Sequence, residues 1–224
     1  DATLEKAVYG LYARNDIVHP DGITGVIYKA GEQVATLTTD KNGQASVDGL
    51  YLGDYYVKEI SPSVGYLADE TEHDLVCNYE GDLVAEVKRD CTSLEQVMKQ
   101  PFQIIKAANN GKTDADLLKG AGFTAYLESS LTKKADGNYE FASATPVVIG
   151  ENGATEMFTD EKGYACSIAL PYGTYIVRET TTPHNYTPVD DFTVRITENN
   201  PNQPQTWRVP VYQYRMDGNE DFSA

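Results

Sequence analysis

The sequence predicts an all-β chain of two tandem β-sandwiches joined by a short helical linker. Three observations carry that expectation: a block that repeats in fixed register, an apolar period of two within each copy, and turn-forming residues between the runs. The repeat comes first. TDKNGQA at 39–45 returns as TDEKGYA at 159–165, and LYLGDYYVKE at 50–59 returns as LPYGTYIVRE at 170–179, both displaced by 120. From 39 to 66 ten of 28 positions are identical without a gap. AVYGLYA at 7–13 resembles AGFTAYL at 121–127 with a displacement of 114, so a six-residue insertion separates these blocks in the second copy. Each copy then spans roughly 110 residues, near the commonest domain size.

Strands follow from the alternation. In Tyr175-Ile176-Val177-Arg178-Glu179 and Phe192-Thr193-Val194-Arg195-Ile196 polar and apolar residues tend to alternate, the pattern of a strand with one buried face. Tyr55 and Tyr56 should therefore point to opposite faces, at least one of them into the core. Pro20-Asp21-Gly22, Asp40-Lys41-Asn42-Gly43, Asp136-Gly137-Asn138 and Asn152-Gly153 supply the positive φ angles of tight turns. One stretch reads as helix, Ser93 to Lys99, with Thr92 and Glu95 at capping-box spacing and Pro101 as its stop. The expected divisions are a sandwich at 1–91, a linker helix at 92–100, a second sandwich at 101–216 and a polar tail at 217–224.

Composition excludes several functions. The formal net charge is −16 over 224 residues, the same sign as nucleic acid and as an anionic membrane surface, so neither is an expected partner. No run of 18 apolar residues is present. A chain that opens at Asp1 with no signal peptide is expected to be a piece of a longer protein. Three cysteines, Cys77, Cys91 and Cys166, make no disulfide framework. Cys77 and Cys91 could close one bridge, but three small buried or half-buried thiols are the simpler expectation. His73, Cys77 and Cys91 lack a fourth zinc ligand, and His19 and His184 stand apart. The acidic runs Asp69-Glu70-Thr71-Glu72 and Asp114-Ala115-Asp116 have no calcium-loop spacing and read as solvated faces. No cofactor motif and no nucleophile elbow, phosphate loop or zinc-protease helix occurs. The tyrosine-rich strand with Tyr51, Tyr55 and Tyr56 is a candidate sugar- or protein-binding face.

The order Gly-x-Tyr-x-Val-x-Glu, a proline-containing turn, then Tyr occurs twice, as GDYYVKEISPSVGY (53–66) and GTYIVRETTTPHNY (173–186). The second copy is preceded by FQIIKAANNGKTDADLLKGAGFTAYL (102–127). Together these resemble the B-type repeats of collagen-binding adhesins, the SpaA-like or prealbumin-like domains of Gram-positive surface proteins and pilins. The resemblance implies an immunoglobulin-like or prealbumin-like sandwich. It also implies an internal isopeptide bond from a first-strand Lys to an Asn or Asp near the last strand, assisted by a Glu. A lysine amine attacks only when neutral, and apolar burial lowers its pKa, while a buried carboxyl can shuttle the protons.

Carried onto this chain, Lys106 takes the nucleophile position, Glu179 the assisting carboxyl, and Glu59 its counterpart in the first copy. Two departures stand out. Trp207 to Tyr214, the expected last strand, holds no Asn or Asp, and its only amide is Gln213. The first copy shows no Lys-bearing strand, because Lys6 aligns with Gly120, and Asp90 is a weak acceptor without an evident Lys. The alternative for Lys106 and Glu179 is an ion pair between strands, and with no Asn on the last strand the paired state is the favoured one. The expected function is a non-enzymatic stalk or pilin-like module on a Gram-positive cell wall, partnered by neighbouring domains of its own protein. The alternative is an adhesin module that holds a host glycan or matrix protein. No LPxTG anchor occurs here, so anchoring is expected outside this chain.

Overall fold

The computed structural model describes residues 1–109, 116–198 and 208–213. Asp114 and Ala115 of the second acidic run, the residues Trp207 and Tyr214, and the 217–224 tail lie outside the described residues. The chain divides into two compact units, residues 2–97 and 98–224, here unit one and unit two.

Unit one contains β1 (Val8–Ala13), β2 (Ile17–Val18), β3 (Val26–Tyr28), β4 (Gln33–Thr38), β5 (Gly53–Ser61) and β6 (Glu72–Cys77). Four of them form one antiparallel sheet in the order β4-β1-β5-β6, and β2 pairs with β3 as a short ribbon. Alternation sets the two faces. Tyr55 and Val57 of β5 are buried with Tyr9, Leu11 and Ala13 of β1. Tyr56, on the other face, stacks on Tyr12 with ring centroids 5.1 Å apart, and the Arg14 guanidinium lies 3.9 Å from the Tyr56 centroid. Residues 40–52 and 78–96 of unit one form no strand.

Unit two contains β7 (Lys99–Gln100), β8 (Gln103–Ala108), β9 (Gly122–Leu127), β10 (Thr132–Lys133), β11 (Tyr139–Glu140), β12 (Glu156–Phe158), β13 (Tyr164–Cys166), β14 (Leu170–Pro171), β15 (Gly173–Thr181), β16 (Phe192–Ile196) and β17 (Arg208–Gln213). The order β12-β9-β15-β16 repeats the unit-one sheet strand for strand, and β13-β8-β17 forms a second sheet. The core packs between the two. Ile104 and Ala165 of the second sheet, with Phe102 just before β8, meet Phe123, Ala125, Tyr175, Val177, Val194 and Ile196 of the first. β17 runs parallel to β8 and places Val211 beside Lys106. Two single turns of 3-10 helix, Glu128–Ser130 and Glu151–Gly153, are the helices among the described residues.

The expected linker helix at 92–100 is not formed. Seven residues before a proline make at best a marginal helix, because the costly first turn is repaid by few further hydrogen bonds. Extended chain finds better partners. Val97 bridges Tyr66, the Leu67 amide donates to the Gln96 carbonyl at 2.9 Å, and Lys99–Gln100 pairs with Leu170–Pro171. Glu95, expected to cap the helix, instead accepts the Tyr9 hydroxyl. The cysteines are free. Cys77 is half-buried, whereas Cys91 and Cys166 are exposed, because Cys91 lies in irregular chain and Cys166 faces outward on β13.

Candidate functional site

The repeated Thr-Asp-x-x-Gly-x-Ala block is a turn that ties two chain segments together. Thr39 Oγ1 accepts the Ala7 amide at 2.9 Å and donates to the Leu4 carbonyl at 2.6 Å. Thr159 Oγ1 accepts the Ala121 amide at 3.0 Å and donates to the Leu118 carbonyl at 2.7 Å. Asp40 Oδ1 accepts the amides of Asn42 and Gln44, and Asp160 Oδ1 those of Lys162 and Tyr164. These amides hold both carboxyls below the usual aspartate range. Gly43 and Gly163 close the two turns at φ 74° and 63°. Further along, the Tyr55 hydroxyl donates to the Tyr51 carbonyl and the Tyr175 hydroxyl to the Pro171 carbonyl, at 2.6 and 2.8 Å. Burial pushes both phenols up to about 12.

The two candidate glutamates occupy one place in this repeated frame. Glu59 stands opposite Tyr9 in the β1–β5 ladder, and Glu179 opposite Phe123 in the β9–β15 ladder. Each carboxylate takes a loop amide. Glu59 Oε2 accepts from Asp69 at 2.7 Å, and Glu179 Oε2 accepts from Val189 at 2.9 Å. Asp69 and Val189 are again 120 positions apart, so the donor position repeats even though the residue types differ.

Unit two adds a cation. Lys106 Nζ is 2.8 Å from Glu179 Oε2, and both side chains are 0 % exposed. The placement follows from strand parity: Phe102, Ile104 and Lys106 share the inward face of the β8 segment, and all are buried. The Phe123 ring centroid lies 5.9 Å from Nζ. Burial drives the Lys106 pKa down, and Glu179 pulls it partly back. A lysine so placed meets the first requirement of a nucleophile, and a carboxylate in contact meets the second. β17, Arg208 to Gln213, carries no Asn or Asp, and Gln213 stands in register with Ala108.

Among the described residues no cation pairs with Glu59. Its Oε1 is buried without a hydrogen-bond partner among the described residues. Burial raises its pKa above the ordinary value; the Asp69 amide opposes the rise, and the charges of Glu95 and Asp69 add to it. Tyr9, where unit two has Phe123, donates its hydroxyl to Glu95, which Ser93 Oγ also reaches at 3.0 Å. Asp90 lies exposed in irregular chain. His73 and Cys77 do share a face of β6. Among the described residues no group of three or more His, Cys, Asp or Glu is placed to hold a metal ion. No described helix is long and apolar enough to cross a membrane.

A family model, the SpaA prealbumin-like fold domain, matches residues 1–90 and 101–208. The chain belongs to this family. Both matches fall on the repeated frame, the Thr-Asp turn and the strand-borne Glu of each unit. Among solved structures, the Bacillus anthracis TIE protein is similar at 23 % identity and a TM-score of 0.57, over 96 % of this chain and 32 % of that one. The chain thus spans about a third of that relative's length, and the likeness is one of fold. The minor pilin GBS52 of Streptococcus agalactiae is similar at 17 % identity and a TM-score of 0.41, over 94 % of this chain and 83 % of that one. The shaft pilin SpaA of Lactobacillus rhamnosus GG is similar at 18 % identity and a TM-score of 0.34, over 94 % and 85 %. Comparison with curated proteins returns no match.

Proposed function

We propose that this chain is a non-enzymatic stalk or pilin-like module of a Gram-positive cell-surface protein, placed on the cell wall side by side with neighbouring domains of the same protein. One observation carries the reading. The buried pair Lys106–Glu179 is sealed inside unit two, 0 % exposed on both sides. An enzyme must present such groups to a substrate, whereas a stalk uses them to tie its own strands together. The tie joins β8 of one sheet to β15 of the other, so separating the sheets means exposing or breaking it. The net charge of −16 suits a solvated extracellular surface.

The tie has two chemical forms. As an ion pair it holds β8 by charge and hydrogen bonding. As an isopeptide bond, neutral Lys106 Nζ adds to a carboxamide or carboxylic carbon, Glu179 takes and returns the proton, and ammonia or water leaves. The absence of Asn and Asp from β17 supports the ion pair. Intact mass decides: a loss of one ammonia or water after unfolding means the amide, and the full sequence mass means the pair. The functional reading is tested by pulling the chain end to end. Force resistance in unit two that vanishes in Lys106→Ala supports the stalk role. Saturable binding to a host glycan or matrix-protein array, with no such resistance, would replace it with the adhesin reading.

A further inference from the structure

Three carboxylates of unit one, Glu59, Asp69 and Glu95, meet beside the segment 93–97, and we propose that a proton held there fastens this segment onto the sheet. The segment docks more firmly as pH falls and loosens as pH rises. The device does not depend on the stalk reading.

The segment runs extended and docks at three points. The Tyr9 hydroxyl of β1 donates to Glu95 Oε1. The Leu67 amide donates to the Gln96 carbonyl at 2.9 Å, and Val97 bridges Tyr66. Docking brings the Glu95 charge close enough to act on Glu59 of β5, which stands opposite Tyr9. The connection after β5 adds Asp69, whose amide donates to Glu59 Oε2 at 2.7 Å.

The cluster is short of hydrogens. Ser93 Oγ lies 3.0 Å from Glu95 Oε1 and 3.3 Å from Asp69 Oδ2, and its single hydrogen serves one of them at a time. Glu59 Oε1 and Glu95 Oε2 are both buried without a hydrogen-bond partner among the described residues. None of the three carboxylates joins an ion pair among those residues. Like charges gathered away from water cannot all stay ionised cheaply, and one added proton both removes a charge and supplies a donor. Glu59 takes that proton, because burial and then the charges of Glu95 and Asp69 raise its affinity for it. Asp69 does not, because the Thr71 hydroxyl and amide donate to it and hold it below the usual aspartate range.

Undocking the segment takes the Glu95 charge away and lets water reach Glu59, so Glu59 binds its proton more tightly in the docked state. Docking therefore gains as pH falls from the raised value of Glu59 toward the ordinary 4.5, and the gain is lost as pH rises through that window. The titratable groups around the cluster are Tyr9 from β1, Asp69 from the connection, Glu95 from the segment and His73 from β6, whose charge acts on Asp69.

The Leu67 amide reads the latch directly, because its hydrogen bond is to the segment itself. Its exchange is measured on the full chain from about pH 7 to about pH 5 and corrected for the intrinsic pH dependence of exchange. Protection is expected to rise as pH falls, about tenfold for each pKa unit that separates docked from undocked Glu59, while the β5 ladder amides change less. Glu59→Gln is expected to keep protection high and independent of pH, since an amide carries no charge and takes no proton in this range. Glu95→Gln is expected to flatten the profile as well. A constant Leu67 protection in the parent overturns the proposal. So does a Glu59→Gln profile that matches the parent, which would assign the titration to His73 or Asp69. Equal changes at Leu67 and along β5 also overturn it, because they report unfolding of the whole unit.

Discussion

Unit one and unit two share a four-stranded sheet, a Thr-Asp turn and a strand-borne glutamate, and they differ in what lies across that sheet. In unit two β8 covers the turn segment and delivers Lys106, and Ala165, Ser167 and Leu170 are buried. In unit one the matching Ala45, Val47 and Leu50 range from exposed to half-buried, and no cation among the described residues pairs with Glu59. The comparison teaches that the repeated motif specifies a frame, while one additional strand converts the frame into a closed, two-sheet core. Burial, ion pairing and the depressed lysine pKa all arrive with that strand.

Removing the lysine should break the comparison most strongly. Lys106→Ala deletes the cation that Glu179 meets in a fully buried place, and the cost should be about 3–5 kcal/mol. Chemical denaturation followed by hydrogen exchange should place the loss in unit two and leave unit one unchanged. Equal stability of variant and parent would mean that neither pair nor amide contributes.

The matched glycines sharpen the same contrast. Gly43→Ala should cost about 1–2 kcal/mol for its left-handed backbone, since its added Cβ would meet Leu4 at 3.1 Å. Gly163→Ala should cost more, because there the Cβ would lie 2.3 Å from the Lys106 carbonyl oxygen. Denaturation midpoints of the two variants give the order. Equal costs would show that β8 does not press on this turn.

Thr39→Val and Thr159→Val should behave alike, each costing about 1–3 kcal/mol by leaving a buried amide and carbonyl without the hydroxyl. Their equivalence, read from paired denaturation curves, tests whether the frame is as firm in the open unit as in the closed one.

Glu59→Gln should have the smallest effect and the clearest pH signature. Burial raises the native carboxyl above its ordinary value of 4.5. Between 4.5 and that raised value the native state holds more protons than the unfolded chain, so Glu59 lowers stability as pH rises through the window. The advantage of Glu59→Gln over the parent should therefore shrink as pH falls from neutral toward 4.5. Asp69, Glu95 and Tyr9 neighbour the group and remain in both chains, so the difference isolates Glu59. A pH-independent difference would place Glu59 in solvent.

The sequence by itself determined the repeat, the strand parity and the residues that face inward. Tyr55, Tyr175, Glu179 and Lys106 point into the core because a strand reverses its side chains at every residue, and that alternation is local. The turns were legible for the same reason: Asp40, Gly43, Asp160 and Gly163 satisfy their own backbone within four residues. Only the tertiary structure decided what each segment packs against. The capping-box spacing of Thr92 and Glu95 is a local preference of a kcal/mol or so, and it yields to Tyr9 and Tyr66, which lie far away in sequence and take Glu95 and Val97 into extended chain. The amides of Asp69 and Val189 reach Glu59 and Glu179 because the connection after each strand, ten residues on, folds back over the sheet, which no pattern along the strand encodes. Whether an inward glutamate is paired depends on a second strand arriving across the core, and that is a property of the assembled sheets.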